Sequence, residues 1–276
     1  MWFIQREPFH EDERAPVFWW SPPAVRVCRC LKLGRENVGD HLGPLIAGRM
    51  LDKRGLRIAD KPEDGRRLLS VGSVLHFARD GDVLWGTGYN GKIAEGKHRF
   101  RSLDVRAVRG PITRQFLASR DIACPEIYGD PGLLFPRLFP ELAGPARKRS
   151  DRGVVLVPHL HDPAPRRGRW RILRPTTPWR RFARAIQRAE LVVSTSLHGI
   201  ILADAFGVPA RWLRASRTES DHKYHDYFLG TGRSGVTHAS SVEEAISMGG
   251  HEPPRFDADA LMEAFPYDLW TSGAFR

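Results

Sequence analysis

Leu191-Val-Val-Ser-Thr-Ser-Leu-His-Gly-Ile-Ile-Leu-Ala-Asp-Ala-Phe-Gly-Val-Pro209 decides how the chain is read. It opens with an apolar, β-branched run, as a strand buried on both faces must. That strand stops at Ser194. Small and hydroxylated residues make a turn, a helix is predicted over Gly199–Phe206, and Gly207-Val208-Pro209 closes it. A further strand is predicted at Ala210–Leu213. In such βαβ units ligands gather beyond the carboxyl ends of the strands. His198 therefore stands near a helix N-terminus, where free backbone N–H groups and the helix dipole favour an anion. The dipole also lowers an imidazole pKa, leaving His198 able to exchange protons near neutrality. A His that merely caps or packs is the bland alternative.

The same rhythm extends outward. Ala24–Leu33 reads as a strand, Gly34–Asp40 as a turn, and His41–Arg54 as a helix with Asp40 at its N-cap. Arg67–Val74, Asp82–Trp85 and Leu103–Val108 read as strands, and Ile112–Arg120 as a helix. Phe139–Gly153 breaks the pattern with Pro140, Gly144, Pro145 and a cluster of charges, and is the candidate interdomain linker. Beyond it, Val154–Pro158 reads as a strand, and Trp179–Ala189, Val242–Ser247 and Ala258–Phe265 as helices. The expected fold is α/β: two Rossmann-like domains, residues 1–145 and 146–276, with mainly parallel sheets facing a cleft. The C-terminal tail is free to pack back on the first domain.

Composition narrows the partners. The 276 residues are 41% hydrophobic and 27% charged, globular proportions that exclude disorder, collagen and coiled coil. Lys and Arg total 43 against 32 Asp and Glu, a net charge of +11. The field favours phosphorylated metabolites, nucleic acid or an anionic membrane. Cys28, Cys30 and Cys124 have no zinc-ligand spacing and fit a reducing cytosol. No apolar run of about 20 residues exists, so nothing is expected to span a bilayer. The reading is a cytoplasmic protein, at most peripheral at the inner face of the membrane. Arg180, Arg181, Arg184 and Arg188 fall on one helix face. That face is solvated, or it meets nucleic acid or anionic lipid. Phe18, Trp19 and Trp20 are an interfacial anchor or core.

Ser194-Thr-Ser-Leu-His-Gly199 with Ala203-Asp-Ala-Phe-Gly-Val-Pro209 resembles the hallmark of the polysaccharide pyruvyl transferase family. Further matches follow in order: Asn37-Val-Gly-Asp-His-Leu42, Gly86-Thr-Gly88, Arg109-Gly-Pro-Ile-Thr113 and Gly129-Asp-Pro-Gly-Leu-Leu134. Pro158-His159 and Lys223-Tyr-His-Asp-Tyr227 resemble the bacterial exopolysaccharide branch, of the succinoglycan type. The resemblance covers most of residues 24–230. It implies a glycosyltransferase B-like arrangement and transfer of the enolpyruvyl unit of phosphoenolpyruvate to sugar hydroxyls, giving a pyruvate ketal. The implied partners are phosphoenolpyruvate as donor substrate and a lipid-linked or free oligosaccharide, with no other cofactor and no metal. Many members carry Arg where Ser196 stands, so Lys223 or Arg109 is expected to supply the missing charge.

That chemistry needs a clamp for two anionic ends, a proton for C3 of the donor and a base for the sugar hydroxyl. His198 is the candidate proton donor and Asp40 the candidate base, with an N-cap role as the alternative for Asp40. Arg109 is the candidate donor clamp, or a surface Arg paired with a carboxylate. Asn37, Ser196, Leu197, Gly199 and Lys223 are candidate substrate contacts. Gly86 and Gly88 let the backbone approach a ligand, or simply turn the chain. His159 and His161 line the acceptor side or lie on an exposed loop. Asp130 shapes a turn, with a cleft-facing role as the alternative, and Asp226 and Tyr227 belong to the cleft or to a solvated helix face. Two rivals stay open: a nucleotide-sugar-dependent glycosyltransferase of the same architecture, and a basic nucleic-acid-binding module. No recognised nucleic-acid motif appears, so nucleic acid is not the expected partner.

Overall fold

The first strands are short because apolar runs in this part of the chain are short. They are β1 (Phe3–Gln5), β2 (Val17–Phe18), β3 (Val25–Cys28) and β4 (Leu31–Gly34), followed by helix α1 (Val38–Asp52). The computed structural model describes residues 3–5, 16–20, 25–28, 31–34, 37–61, 64–142, 153–160, 162, 168–214 and 220–271. The single strand expected over Ala24–Leu33 is two: β3 and β4 pair antiparallel, and β1 pairs antiparallel with β4. Val25, Val27, Leu31 and Leu33 keep odd positions through the reversal, so period-two alternation carries no trace of it. This small sheet is separate from the parallel one.

The first parallel sheet runs β2, β5 (Leu68–Leu69), β6 (Val83–Trp85), β7 (Asp104–Ala107). α2 (Pro111–Ala118) and α3 (Phe135–Leu138) follow it. The expected linker begins as core: Phe139 and Leu142 are buried, and the Phe139 ring stacks on Phe135 with centroids 4.4 Å apart. Residues 143–152, which hold the expected boundary at 145, lie outside the described residues.

The second parallel sheet contains β8 (Val154–Val157), β9 (Trp170–Ile172), β10 (Leu191–Ser194) and β11 (Ala210–Trp212), in the order β11-β10-β8-β9. Its helices are α4 (Trp179–Gln187), α5 (Leu197–Ala205) and α6 (His222–Gly230). α7 (Val242–Met248), α8 (Ala258–Glu263) and α9 (Asp268–Thr271) complete the chain. Strand order reverses between β8 and β10, which opens a crevice beyond their carboxyl ends. On α4, Phe182, Ala183 and Ile186 are buried while Arg180, Arg181, Arg184 and Arg188 face outward.

One apolar core joins both sheets, from Leu42 and Trp85 through Val155 and Ile201 to Leu261 and Trp270. The tail packs on the first half. Trp85 Nε1 donates to Leu261 O (2.8 Å), Tyr267 OH to Met50 O (3.0 Å) and Trp270 Nε1 to Ile58 O (3.2 Å). Among the described residues, no helix is long and apolar enough to cross a membrane.

Candidate functional site

The crevice between β8 and β10 is tied shut at its base by hydroxyls. Thr195 Oγ1 accepts the His159 N–H (2.7 Å) and donates to Asp162 Oδ2 (2.6 Å), so the exits of the two strands hold each other. Ser194 Oγ donates to Val157 O and accepts the Ser196 N–H, both at 3.0 Å. Gly199 is small because a Cβ there would collide with Ser194 Oγ. Tyr224 of α6, stacked on Trp212 (4.4 Å), donates its hydroxyl to Thr195 O (2.6 Å). Ser196 is the N-cap of α5 in extended conformation, and its side chain makes no capping bond, so the amides of the first turn are not covered by it.

His198, the second residue of α5, packs against the first turn of α1. That turn is capped by Asn37, whose Oδ1 accepts the Gly39 N–H (3.2 Å). The N-cap expected at Asp40 therefore lies three residues earlier; Asp40 is inside the helix and its side chain lies outside the described residues. A Cβ on Gly39 would collide with His198 Nδ1, so glycine is what lets the ring in. Part of the ring reaches a cavity, whereas Nε2 is buried without a hydrogen-bond partner among the described residues. Burial, then the nearby charges of Lys223, Arg109 and His159, lower the His198 pKa to about 3. The ring is neutral near pH 7, and the expected titration near neutrality gives way because burial dominates.

That cavity, about 330 Å³, gathers Asn37, His159, Ser196, Leu197, His198 and Lys223. Facing them are Trp20, the Gly72–Val74 loop, His76, Phe77, Asn90 and Lys92, which follow the carboxyl ends of β2, β5 and β6. Both parallel sheets thus aim their carboxyl ends at one space. His161 lies outside the described residues.

Three of the expected contacts are internal instead. Arg109 is fully buried: Nε donates to Asp226 Oδ2 (3.0 Å), Nη1 to Ser73 Oγ (2.6 Å) and Nη2 to Tyr89 O (2.7 Å). A guanidinium so committed holds loops rather than a ligand. Gly88 makes room for that guanidinium, and Gly86, at φ +83°, makes room for Pro131. Asp226 completes the assembly by accepting Thr113 N–H (2.9 Å) and Thr113 Oγ1–H (2.6 Å). Neither Asp226 nor Tyr227 is on a solvated face; Tyr227 donates to Asp204 Oδ2 (2.7 Å), a carboxylate also paired with Arg233 (2.7 Å).

Asp130 is buried, with Oδ1 accepting the Gly132 N–H (2.9 Å) and Oδ2 unpartnered among the described residues. Burial raises its pKa from 3.8 to about 6, against the opposing pull of the Gly132 N–H, Arg109 and the nearby Gly72 N–H. The unfolded carboxyl ionises first, so stability falls as pH rises between 3.8 and about 6. Complete ionisation costs about 3 kcal/mol. Asp130→Asn is expected to raise the thermal midpoint at pH 8 and to leave it unchanged at pH 4. Equal midpoints at both pH values would remove the ionised carboxylate from the account.

Among the described residues, no three His, Cys, Asp or Glu side chains come together as a metal-ligand set. The arrangement brings the N-terminal residues of α5, Lys223 and a neutral imidazole to one space, which suits an anion.

The family described as polysaccharide pyruvyl transferase matches residues 58–217, more than half of the chain. The chain belongs to that family. The succinoglycan biosynthesis protein ExoV of Rhizobium meliloti (strain 1021) is 30% identical over 174 residues, 58% of this chain and 52% of that protein. The chain thus spans about half the length of that relative. An uncharacterized protein of Acanthamoeba polyphaga mimivirus is 25% identical over 206 residues, 69% of each. The span matched by the pyruvyl transferase family holds Arg109, His159 and His198, while Asn37, Gly39, Lys223 and Asp226 lie outside it.

Proposed function

We propose that this family member moves the enolpyruvyl unit of phosphoenolpyruvate onto sugar hydroxyls of an exopolysaccharide precursor and closes a pyruvate ketal. The observation that carries this reading is one cavity lined by His198, Lys223 and the N-terminal residues of α5, with no partner among the described residues for the buried His198 Nε2. The printed name of the Rhizobium relative, which ties it to succinoglycan, supports a polysaccharide acceptor.

Lys223 and the amides of α5 hold the carboxylate and phosphate of the donor, in place of the Arg that Ser196 replaces. The two arriving negative groups favour the imidazolium form of His198, which then delivers its proton to C3. C2 becomes electrophilic, and a sugar hydroxyl adds to it while losing its proton to a base. Inorganic phosphate leaves with the C–O electron pair. A second hydroxyl adds at C2 and closes the ketal. Arg109 acts at one remove: through Ser73 and Tyr89 it fixes the loops on the opposite wall. The two sheets meeting at one cavity fit a glycosyltransferase B-like arrangement, working in the cytoplasm on an acceptor presented at the membrane.

Incubation with phosphoenolpyruvate and bacterial oligosaccharide fractions tests this. Phosphate release and an added pyruvyl mass on a glycan are expected, with His198→Ala slower by about 10²–10⁴-fold. Neither phosphate nor a pyruvylated product with any fraction rejects the assignment.

A further inference from the structure

The donor chemistry leaves one wall of the cavity unused, and that wall is aromatic. Trp20 follows β2 and is 41% exposed, although tryptophan is ordinarily well buried. Its ring stacks on Phe77, with centroids 5.2 Å apart and planes at 19°. Phe77 is in turn fixed by Phe18 (5.1 Å) and His76 (4.0 Å), and Arg67 lies 5.2 Å from the Phe18 centroid. Trp20 is therefore a braced plate at the rim of a polar cavity. Beside it, the Asn90 amide approaches His76 Nδ1 at 3.3 Å. With Asn90 donating, the proton of the neutral ring sits on Nε2. Burial and the His98 charge lower the His76 pKa to about 4, so His76 is a neutral hydrogen-bonding ring here, with Lys92 as a cation on this wall.

A plate of this kind suits one ligand chemistry. The C–H face of a pyranose carries partial positive charge and meets the negative face of an aromatic ring, while its hydroxyls need neutral polar partners at the edge. A phosphate or carboxylate gains nothing from an indole face. We propose that Trp20, backed by Phe77, is the platform on which the acceptor sugar lies, with His76 and Asn90 at the edge of its ring. That the bound sugar is the one modified rests on the reading given under Proposed function; that a pyranose binds at Trp20 does not.

Saturation-transfer NMR with methyl β-D-glucopyranoside and methyl β-D-galactopyranoside tests the platform on the full chain. Wild type is expected to saturate the ring C–H protons of at least one glycoside. Trp20→Ala should weaken that binding about tenfold at an unchanged thermal midpoint, and Trp20→Phe should retain most of it. No saturation in wild type, or equal affinity in Trp20→Ala, overturns the proposal. Trp20-dependent glycoside binding without phosphate release from phosphoenolpyruvate leaves the platform standing and removes the donor. Pyruvyl transfer with an unchanged acceptor KM in Trp20→Ala does the reverse.

Discussion

Arg109→Ala is expected to lower unfolding free energy by about 3–5 kcal/mol, a large share of the ~5–15 kcal/mol that holds a protein folded. Both partners of the Arg109–Asp226 pair are out of solvent, at 0% and 1% side-chain exposure. Removing the guanidinium leaves a buried carboxylate with the Thr113 N–H and hydroxyl as its remaining described donors. It also frees Ser73 and Tyr89 O, and so the loops on one wall of the cavity. Backbones meet here without side chains between them: a Cβ on Gly110 would collide with Asp226 O, and one on Gly230 with Arg109 O. Little relaxation is available to soften the loss. Arg109→Lys should rescue little, because one ammonium cannot serve three partners in the geometry of a planar fork. Arg109→Met combined with Asp226→Leu should recover part of the stability, since an apolar pair leaves no buried charge. Urea unfolding of wild type and these three variants measures the differences. A cost below about 1 kcal/mol for Arg109→Ala would show that this pair does not join the two halves.

The elements that sequence reading recovers are those whose inner face is largely apolar. β10 was legible because Leu191–Val193 is an uninterrupted buried run ended by small residues, and α5 because Gly207-Val208-Pro209 marks its end. β9 was missed because it is an edge strand beside β8 in an Arg-rich stretch, with no buried residue in its three. α6 was read only as the alternative to a cleft segment, because its inner face mixes Tyr224, Tyr227 and Phe228 with a buried Asp226, which blurs the helical period. The site divides in the same way. Asn37, His159, Ser196, Leu197, His198 and Lys223 meet at the cavity, whereas Arg109, Gly86 and Gly88 hold its frame. A clamp and a strut look alike in sequence, since what separates them for Arg109 is a carboxylate 117 positions away.

On the proposed reading, Gly39→Ala is expected to remove most pyruvyl transfer while the protein stays folded. Helical Gly39 gains about 0.5–1 kcal/mol of helix stability on becoming Ala, which offsets part of the clash. The new Cβ would nonetheless collide with His198 Nδ1 and come within 2.7 Å of Cγ, so the ring must turn or slide by about an ångström. Displacement on that scale is expected to lower kcat about 10²-fold. Donor binding should largely survive, because Lys223 and the α5 amides do not move with the ring. The proton inventory gives a second reading. His198 is neutral with its pKa lowered to about 3, and a bound phosphate and carboxylate would draw that pKa upward. Binding of phosphoenolpyruvate between the empty and loaded pKa values then takes a proton from solution. Calorimetric enthalpies should depend on the ionisation enthalpy of the buffer for wild type, and not for His198→Ala. A buffer-independent enthalpy in wild type would mean that His198 stays neutral with the donor in place and cannot be the acid. A kcat for Gly39→Ala within about threefold of wild type would mean that the ring's fixed seat against α1 does not set the position of the proton.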